Sequence, residues 1–246
     1  MISNLRKFIV NNTPIQETLN KLGGLDYGCY DRSNVIVGSK VIDYFVTFDG
    51  AKYKVDGYSN SMIEETRLEY DWSDIRADDI VLDIGANIGG FTIGAALKAK
   101  HVYALEPIFY PYLETNVKLN ALTNVTVFPF AIGDGRNLDL SFNKINRRNV
   151  PTYTLTNLIN MIRLQSNGQH NVSFLKCDCE GGEWYIKPAE LDGIRRIEME
   201  IHPAMDPTES YSPHLIPHLK QNWDTKITDE SRITPLIHAH KKTVRD

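Results

Sequence analysis

Short apolar runs alternate with stretches of helical spacing through most of this chain, and polar turns separate the two. Ile80, Val81 and Leu82 form a run suited to a strand covered on both faces, and Asp83 closes it. Ile88, Phe91, Thr92, Ala95, Ala96 and Ala99 then follow at helical spacing. The same reading gives a strand HVYAL, a helix from about Tyr110 to Asn120, a strand NVTVFPFAI and a polar stretch GDGRNLDLSFNKINRRNV. A helix over Thr154 to Leu164, a strand ending near Asp178, a helix from Glu183 to about Leu191 and a strand within IRRIEMEIHP come next. After a proline-bearing stretch with a short helix, DTKITDE and TPLIHAHKK read as an antiparallel pair. Strands alternating with helices imply right-handed crossovers, hence an α/β fold with a mostly parallel, seven-stranded sheet and an antiparallel last strand.

Ahead of that core, residues 1 to 22 read as an amphipathic helix interrupted near Pro14, and Gly23-Gly24 ends it. The segments VIDYFVTF and AKYKVDGY flank Asp49-Gly50, a hairpin signature. SMIEETRLEYDW repeats Met62, Thr66 and Tyr70 every four residues, as a helix forming a lid or wall would. The expected organisation is therefore an N-terminal helix, hairpin and lid-like helix over residues 1–75, and a core domain over residues 76–246.

The turn VLDIGANIGGFT carries the chemistry. Gly85, Gly89 and Gly90 let the backbone turn tightly between strand and helix, as a loop cradling a nucleotide-like cofactor requires. A dinucleotide fingerprint needs a second glycine where the chain has Asn87, because the backbone must touch a pyrophosphate there. A cofactor without phosphates has no such need. S-adenosylmethionine meets that condition, and Asp83 suits its cationic methionine end. About 20 residues further on, Glu106 ends the next strand where a carboxylate can accept hydrogen bonds from ribose hydroxyls.

Composition narrows the partners. The chain has 27 Lys and Arg against 31 Asp and Glu, a net charge of −4, so no broad basic footprint marks it for nucleic acid or anionic membrane. Cys29, Cys177 and Cys179 are too few for a disulfide framework, and the last two read as small buried strand residues. Neither a signal-peptide pattern nor an apolar run of about 18 residues occurs, so a cytoplasmic location is expected.

Ligands in open α/β sheets bind beyond the carboxyl ends of the strands. The polar groups there are Asp83 to Asn87, Glu106, the AIGDG turn, KCDCEGGE and EIH at Glu200 to His202. Taken in order and spacing, GANIGGFT, Glu106-Pro107, AIGDG, FLKCDCEGGE and EIH resemble the FkbM family of methyltransferases over roughly residues 40 to 205. The most specific element is KxDxEGxE, carried by Lys176, Asp178, Glu180, Gly181 and Glu183. The resemblance implies a class I, Rossmann-like methyltransferase fold that binds S-adenosylmethionine and methylates a hydroxyl oxygen of a sugar or polyketide-like acceptor. Cys177 and Cys179 replace the aliphatic residues usual in that motif, and Asn157 stands where the family often has an acid.

On this reading the cofactor is held by Asp83, Gly85, Ala86, Asn87, Gly89, Glu106 and Pro107, with Ala131 and Asp134 at its adenine. Asp178 is the leading candidate to orient the acceptor or take its proton, with His202 second and Lys176 or Glu180 orienting the acid or pairing with it. Asp178, Glu180 and His202 have the ligand chemistry for a hard cation, and His214 with His218 or His238 with His240 have permissive spacings, but no metal is expected. The expected partner is a small-molecule or glycan acceptor. An RNA methyltransferase is disfavoured because no proline pair follows Asp178, as base amino-methylation commonly uses; an inactive cofactor-binding module is the remaining alternative.

Overall fold

The computed structural model describes residues 31–37, 40–46, 50–54, 63, 66, 69–142, 146–202, 212–228 and 233–242. The expected helix over residues 1–22 lies outside them. Three strands come first, β1 (Asp31–Val37), β2 (Lys40–Val46) and β3 (Lys52–Lys54), forming an antiparallel sheet in the order β1-β2-β3. The hairpin expected around Gly50 is the β2–β3 pair, and Gly50 takes the positive φ of 83° that its turn demands. The strand β1 had no clear signal of its own.

The central element is β4 (Ile80–Ile84), every residue of which is buried. It runs parallel to β5 (His101–Leu105) on one side and to β10 (Phe174–Cys177) on the other. With β6 (Val125–Phe128), β11 (Arg196–Glu200), β12 (Trp223–Thr228) and β13 (Leu236–Lys241), the seven-stranded sheet has the order β12-β13-β11-β10-β4-β5-β6. The last strand, β13, is antiparallel to both neighbours. From β4 the chain moves outward one way through β5 and β6, then returns to β10 and moves the other way. The crevice at this reversal, between the ends of β4 and β10, is where an open α/β sheet binds its ligand.

Helices α1 (Gly90–Ala96), α2 (Tyr110–Leu119), α3 (Leu155–Gln165) and α4 (Ser212–Asn222) cover the sheet. The Thr154 side chain caps α3 by accepting from the Asn157 amide, so Asn157 stands in the first turn as an exposed residue. The expected helix from Glu183 to Leu191 is instead two 3₁₀ turns, Gly182–Tyr185 and Pro188–Leu191. Pro188 is the reason: it lacks an N–H and forces Lys187 into an extended conformation. The polar stretch after Ile132 is an antiparallel hairpin of β8 (Asn137–Phe142) and β9 (Asn146–Tyr153), docked through the two-residue β7 (Ala131–Ile132). Alternation of Leu138, Leu140 and Phe142 with polar residues is the pattern that marks this strand.

Two polar clusters tie the early segment to the core. Asn116 and Asn120 on α2 accept from the amides of Lys54 and Lys52 at 2.9 and 2.8 Å, and Asn116 Nδ2 donates to the Ile88 carbonyl at 2.7 Å. These side chains therefore join β3, α2 and the glycine turn. On the far side, Arg196 is fully buried and pairs with the buried Glu198 and with Asp71, while Arg195 holds Asp74 and Asp79 at 2.7 Å. Glu198 also accepts from the Asp71 amide and from His238. No helix among the described residues is long and apolar enough to cross a membrane.

Arg196→Met would leave the Glu198 carboxylate buried without its guanidinium, a change that costs about 3 kcal/mol. Urea unfolding at neutral pH should register that loss; a midpoint unchanged from the parent would contradict this account of the cluster.

Candidate active site

The turn after β4 builds the cofactor side of the crevice. Gly85 adopts φ 73°, and a Cβ there would lie 1.6 Å from the Asp178 carbonyl oxygen, so only glycine allows the turn and the end of β10 to touch. The amides of Gly85 and Ala86 both donate to the Leu105 carbonyl, which fixes the turn against β5. Asn87 has a positive φ of 52°, and Gly89 caps α1 in the left-handed region. Glu106 answers across the crevice: Oε2 accepts from the Asn87 amide at 2.8 Å, and Oε1 from the amides of Ile108 and Phe109 at 2.7 and 2.9 Å. Burial raises its pKa, and these three amides pull against that rise. Pro107 follows at the rim, half-buried.

Asp83 occupies a different position from the one expected. Its carboxylate is fully buried, accepts from Thr92 at 2.5 Å and lies 3.4 Å from Lys176 Nζ, so its charge acts on the crevice from behind the turn. Lys176 is the hub of that arrangement. Its ammonium donates to the Gly85 carbonyl at 2.8 Å, faces Asp83 and Asp178, and lies 5.2 Å from the centre of the Tyr70 ring. Burial opposes its charge, yet the two carboxylates outweigh burial and hold its pKa above the ordinary lysine value.

Asp178 follows β10, with its amide donating to the Ile84 carbonyl. Its Oδ2 accepts from the Tyr70 hydroxyl at 2.8 Å and lies 3.6 Å from Lys176; its Oδ1 faces His202 Nε2 at 3.9 Å. Burial would raise this carboxyl, but Lys176, Tyr70 and His202 together keep it below the usual range. His202 is anchored by Glu183, a fully buried acid whose Oε1 accepts from the His202 amide at 2.6 Å and meets Nδ1 at 3.0 Å. Burial would lower the imidazole pKa, but Glu183, Asp178 and Glu180 push it up to about 9. The surrounding carboxylates thus favour the protonated imidazole of His202. Burial, joined by repulsion from Asp178, pushes Glu200 up to about 7.

Lys176, Asp178 and His202 therefore meet as expected, beside the turn that bears Gly85. Glu180 reaches within 3.7 Å of His202 Nε2, but 90% of its side chain is exposed. Ala131 lies in β7, and the Asp134 carboxylate, expected at an adenine, turns onto Arg136, with Nε at 2.6 Å. Sequence reasoning gave no role to Tyr70, Glu183 or Glu200. Glu183 and Glu200 stood within recognised motifs, whereas Tyr70 read only as part of a helical repeat.

The residues fit S-adenosylmethionine. The Asn87 Oδ1 atom is buried in the turn without a hydrogen-bond partner among the described residues, an acceptor in want of a donor of the kind an ammonium or hydroxyl provides. Glu106 adds an oriented carboxylate at the opposite wall.

A 23S rRNA (uracil(1939)-C(5))-methyltransferase of Klebsiella pneumoniae is 36% identical over 75 residues, 30% of this chain and 17% of that protein. A tRNA (guanine(37)-N(1))-methyltransferase of Vitis vinifera is 32% identical over 119 residues, 46% of this chain and 19% of that protein. The chain spans about a fifth of the length of the curated relatives it matches. Among solved structures, an rRNA methylase from Streptococcus thermophilus covers 75% of this chain and 96% of its own, at 11% identity and a TM-score of 0.46. The family model described as the methyltransferase FkbM domain matches residues 83–225, from the acid before the glycine turn into β12. With more than half of its length matched, the chain belongs to the FkbM-domain family of S-adenosylmethionine-dependent methyltransferases.

Proposed function

We propose that the chain catalyses methyl transfer to a hydroxyl oxygen of a sugar, another small molecule or a glycan. The observation that carries this reading is the Asp178 carboxylate, held by Tyr70 and Lys176 on a residue whose backbone carbonyl packs against the Gly85 turn. S-adenosylmethionine, when bound, supplies an electrophilic methyl group on a sulfonium. Transfer to an alcohol then needs the acceptor oxygen aligned, its proton removed and water kept out.

In this reading Asp178 orients the acceptor hydroxyl and draws its proton, since Oδ2 is occupied by Tyr70 while Oδ1 faces the cluster. Lys176 does not touch the acceptor; it keeps Asp178 ionised and the Gly85 carbonyl in place. Glu106 and Asn87 receive the ribose and the amino-acid portion of the cofactor, with Gly85, Ala86, Gly89 and Pro107 shaping the walls and Ala131 and Asp134 at the adenine. The absence of a proline pair after Asp178 argues against amino methylation of a nucleobase, and the net charge of −4 argues the same way. Substrate walls on the outer side would come from the β8–β9 hairpin.

Methyl-labelled cofactor, offered with pools of glycans, small hydroxylated metabolites and RNA, tests the acceptor class. Label in the first two pools is expected; label confined to RNA would replace this reading with an RNA methyltransferase, and none at all would point to an inactive binding module. Two substitutions separate the roles. Asp178→Asn should lower kcat by roughly 100-fold while S-adenosylhomocysteine binds within about twofold of the parent. Glu106→Ala should weaken that binding by about tenfold or more in calorimetry, equivalent to about 1.4 kcal/mol. Equal loss of affinity in both variants would show the assignments to be wrong.

A further inference from the structure

Three potential ligand atoms, one each from Asp178, Glu200 and His202, lie within 4.8 Å of one another at the ends of β10 and β11. Around a single ion with bonds of about 2.1 Å, ligand atoms stand roughly 3 to 4.2 Å apart, so small side-chain adjustments would close this set on one cation. From His202 Nε2, Asp178 Oδ1 is 3.9 Å away and Glu200 Oε2 3.8 Å, beyond direct hydrogen bonds. Among the described residues, Nε2 therefore faces carboxylates without a direct hydrogen bond, and solvent reaches 11% of the side chain. The other ring nitrogen, Nδ1, is engaged by Glu183, a carboxylate with no exposed surface. A carboxylate behind an imidazole is the arrangement that fixes a metal-binding histidine in its tautomer, with the opposite nitrogen turned to the ion. Glu180 adds a further negative charge at the mouth, 3.7 Å from the same nitrogen.

We infer that Asp178, Glu200 and His202 hold one divalent cation beside the glycine turn, and that this ion receives the acceptor's hydroxyl oxygen. One imidazole with two carboxylates suits Mn²⁺, Fe²⁺, Co²⁺ or Zn²⁺, whereas an all-oxygen set would favour Mg²⁺ or Ca²⁺. The ion's role rests on the methyl-transfer reading, but its binding does not. In that role it polarises the acceptor O–H bond, and the proton passes to the Asp178 carboxylate, one oxygen of which holds the ion while the other accepts. The oxygen–methyl bond forms as the sulfonium–methyl bond breaks, and the electron pair of the broken bond stays on sulfur. Glu183 is a positioning residue, acting on the ion through His202. No metal is expected from the sequence, whose Asp178, Glu180 and His202 offer only the ligand chemistry; here Glu200, two residues before His202, supplies the second carboxylate while Glu180 stays at the rim.

The test uses the full chain, freed of metal by chelator and titrated with Mn²⁺ alone under electron paramagnetic resonance. One ion per chain is expected, with ¹⁴N coupling from a coordinated imidazole in the parent protein. Glu200→Gln and His202→Ala should each weaken retention by about tenfold or more, and the latter should abolish the nitrogen coupling. Asp192→Asn, which alters the surface pair with His218, should leave retention unchanged. Melting curves and S-adenosylhomocysteine binding check that each variant is folded. No retained ion, no nitrogen coupling in the parent, or loss in Asp192→Asn equal to that in Glu200→Gln would overturn the inference. Label transfer in chelator without Mn²⁺ uptake would sink the ion and spare the methyl-transfer reading; Mn²⁺ retention without transfer to any pool would do the opposite.

Discussion

The buried ammonium of Lys176 is the interaction on which the site depends. An unpaired charge in this position would be costly, and the chain surrounds it with Asp83, Asp178 and the Gly85 carbonyl. Each contact comes from a different piece of the crevice: Asp83 from inside β4, Gly85 from the turn, and Asp178 from beyond β10. One side chain thus sets the distance between the cofactor wall and the acceptor wall. It holds the Asp178 carboxyl below the usual range where burial alone would raise it, whereas the wholly buried Asp83 carboxyl stays raised by burial although Lys176 and Thr92 pull it down.

Seen from that hub, the KxDxEGxE pattern divides its work along two directions. Lys176 and Asp178 face the glycine turn, whereas Gly181 takes a φ of 102° so that the chain can double back and bring Glu183 under His202. Glu183 accepts from the Gly181 amide as well as from His202, so the turn and the histidine share one buried carboxylate. A motif of eight residues therefore builds both halves of a polar cluster that spans β10 and β11.

The sheet was legible because burial on both faces leaves an unmistakable trace: Ile80 to Leu82 and His101 to Leu105 are apolar runs with a polar residue only at an end. The glycine turn was legible because backbone geometry demands particular residues there. Other features escaped for physical reasons. Asn137, Leu138 and Asp139 of β8 are exposed, so its alternation carries little of the burial signal that marks a core strand. The helix expected after Gly182 ignored the break that Pro188 imposes on Lys187. Asp83 read as a ligand-facing acid because sequence gives its neighbours but not its depth. Tyr70 escaped because its partner, Asp178, is 108 positions away and no local pattern records such a meeting.

That long-range contact bears on where the working unit begins. The family match starts at Asp83, yet the phenol that grips Asp178 comes from upstream, on a segment clamped to β11 by Asp71, Asp74 and Asp79 through Arg195 and Arg196. A fragment cut at the edge of the recognisable motifs would keep every signature residue and lose the hydroxyl that Asp178 holds.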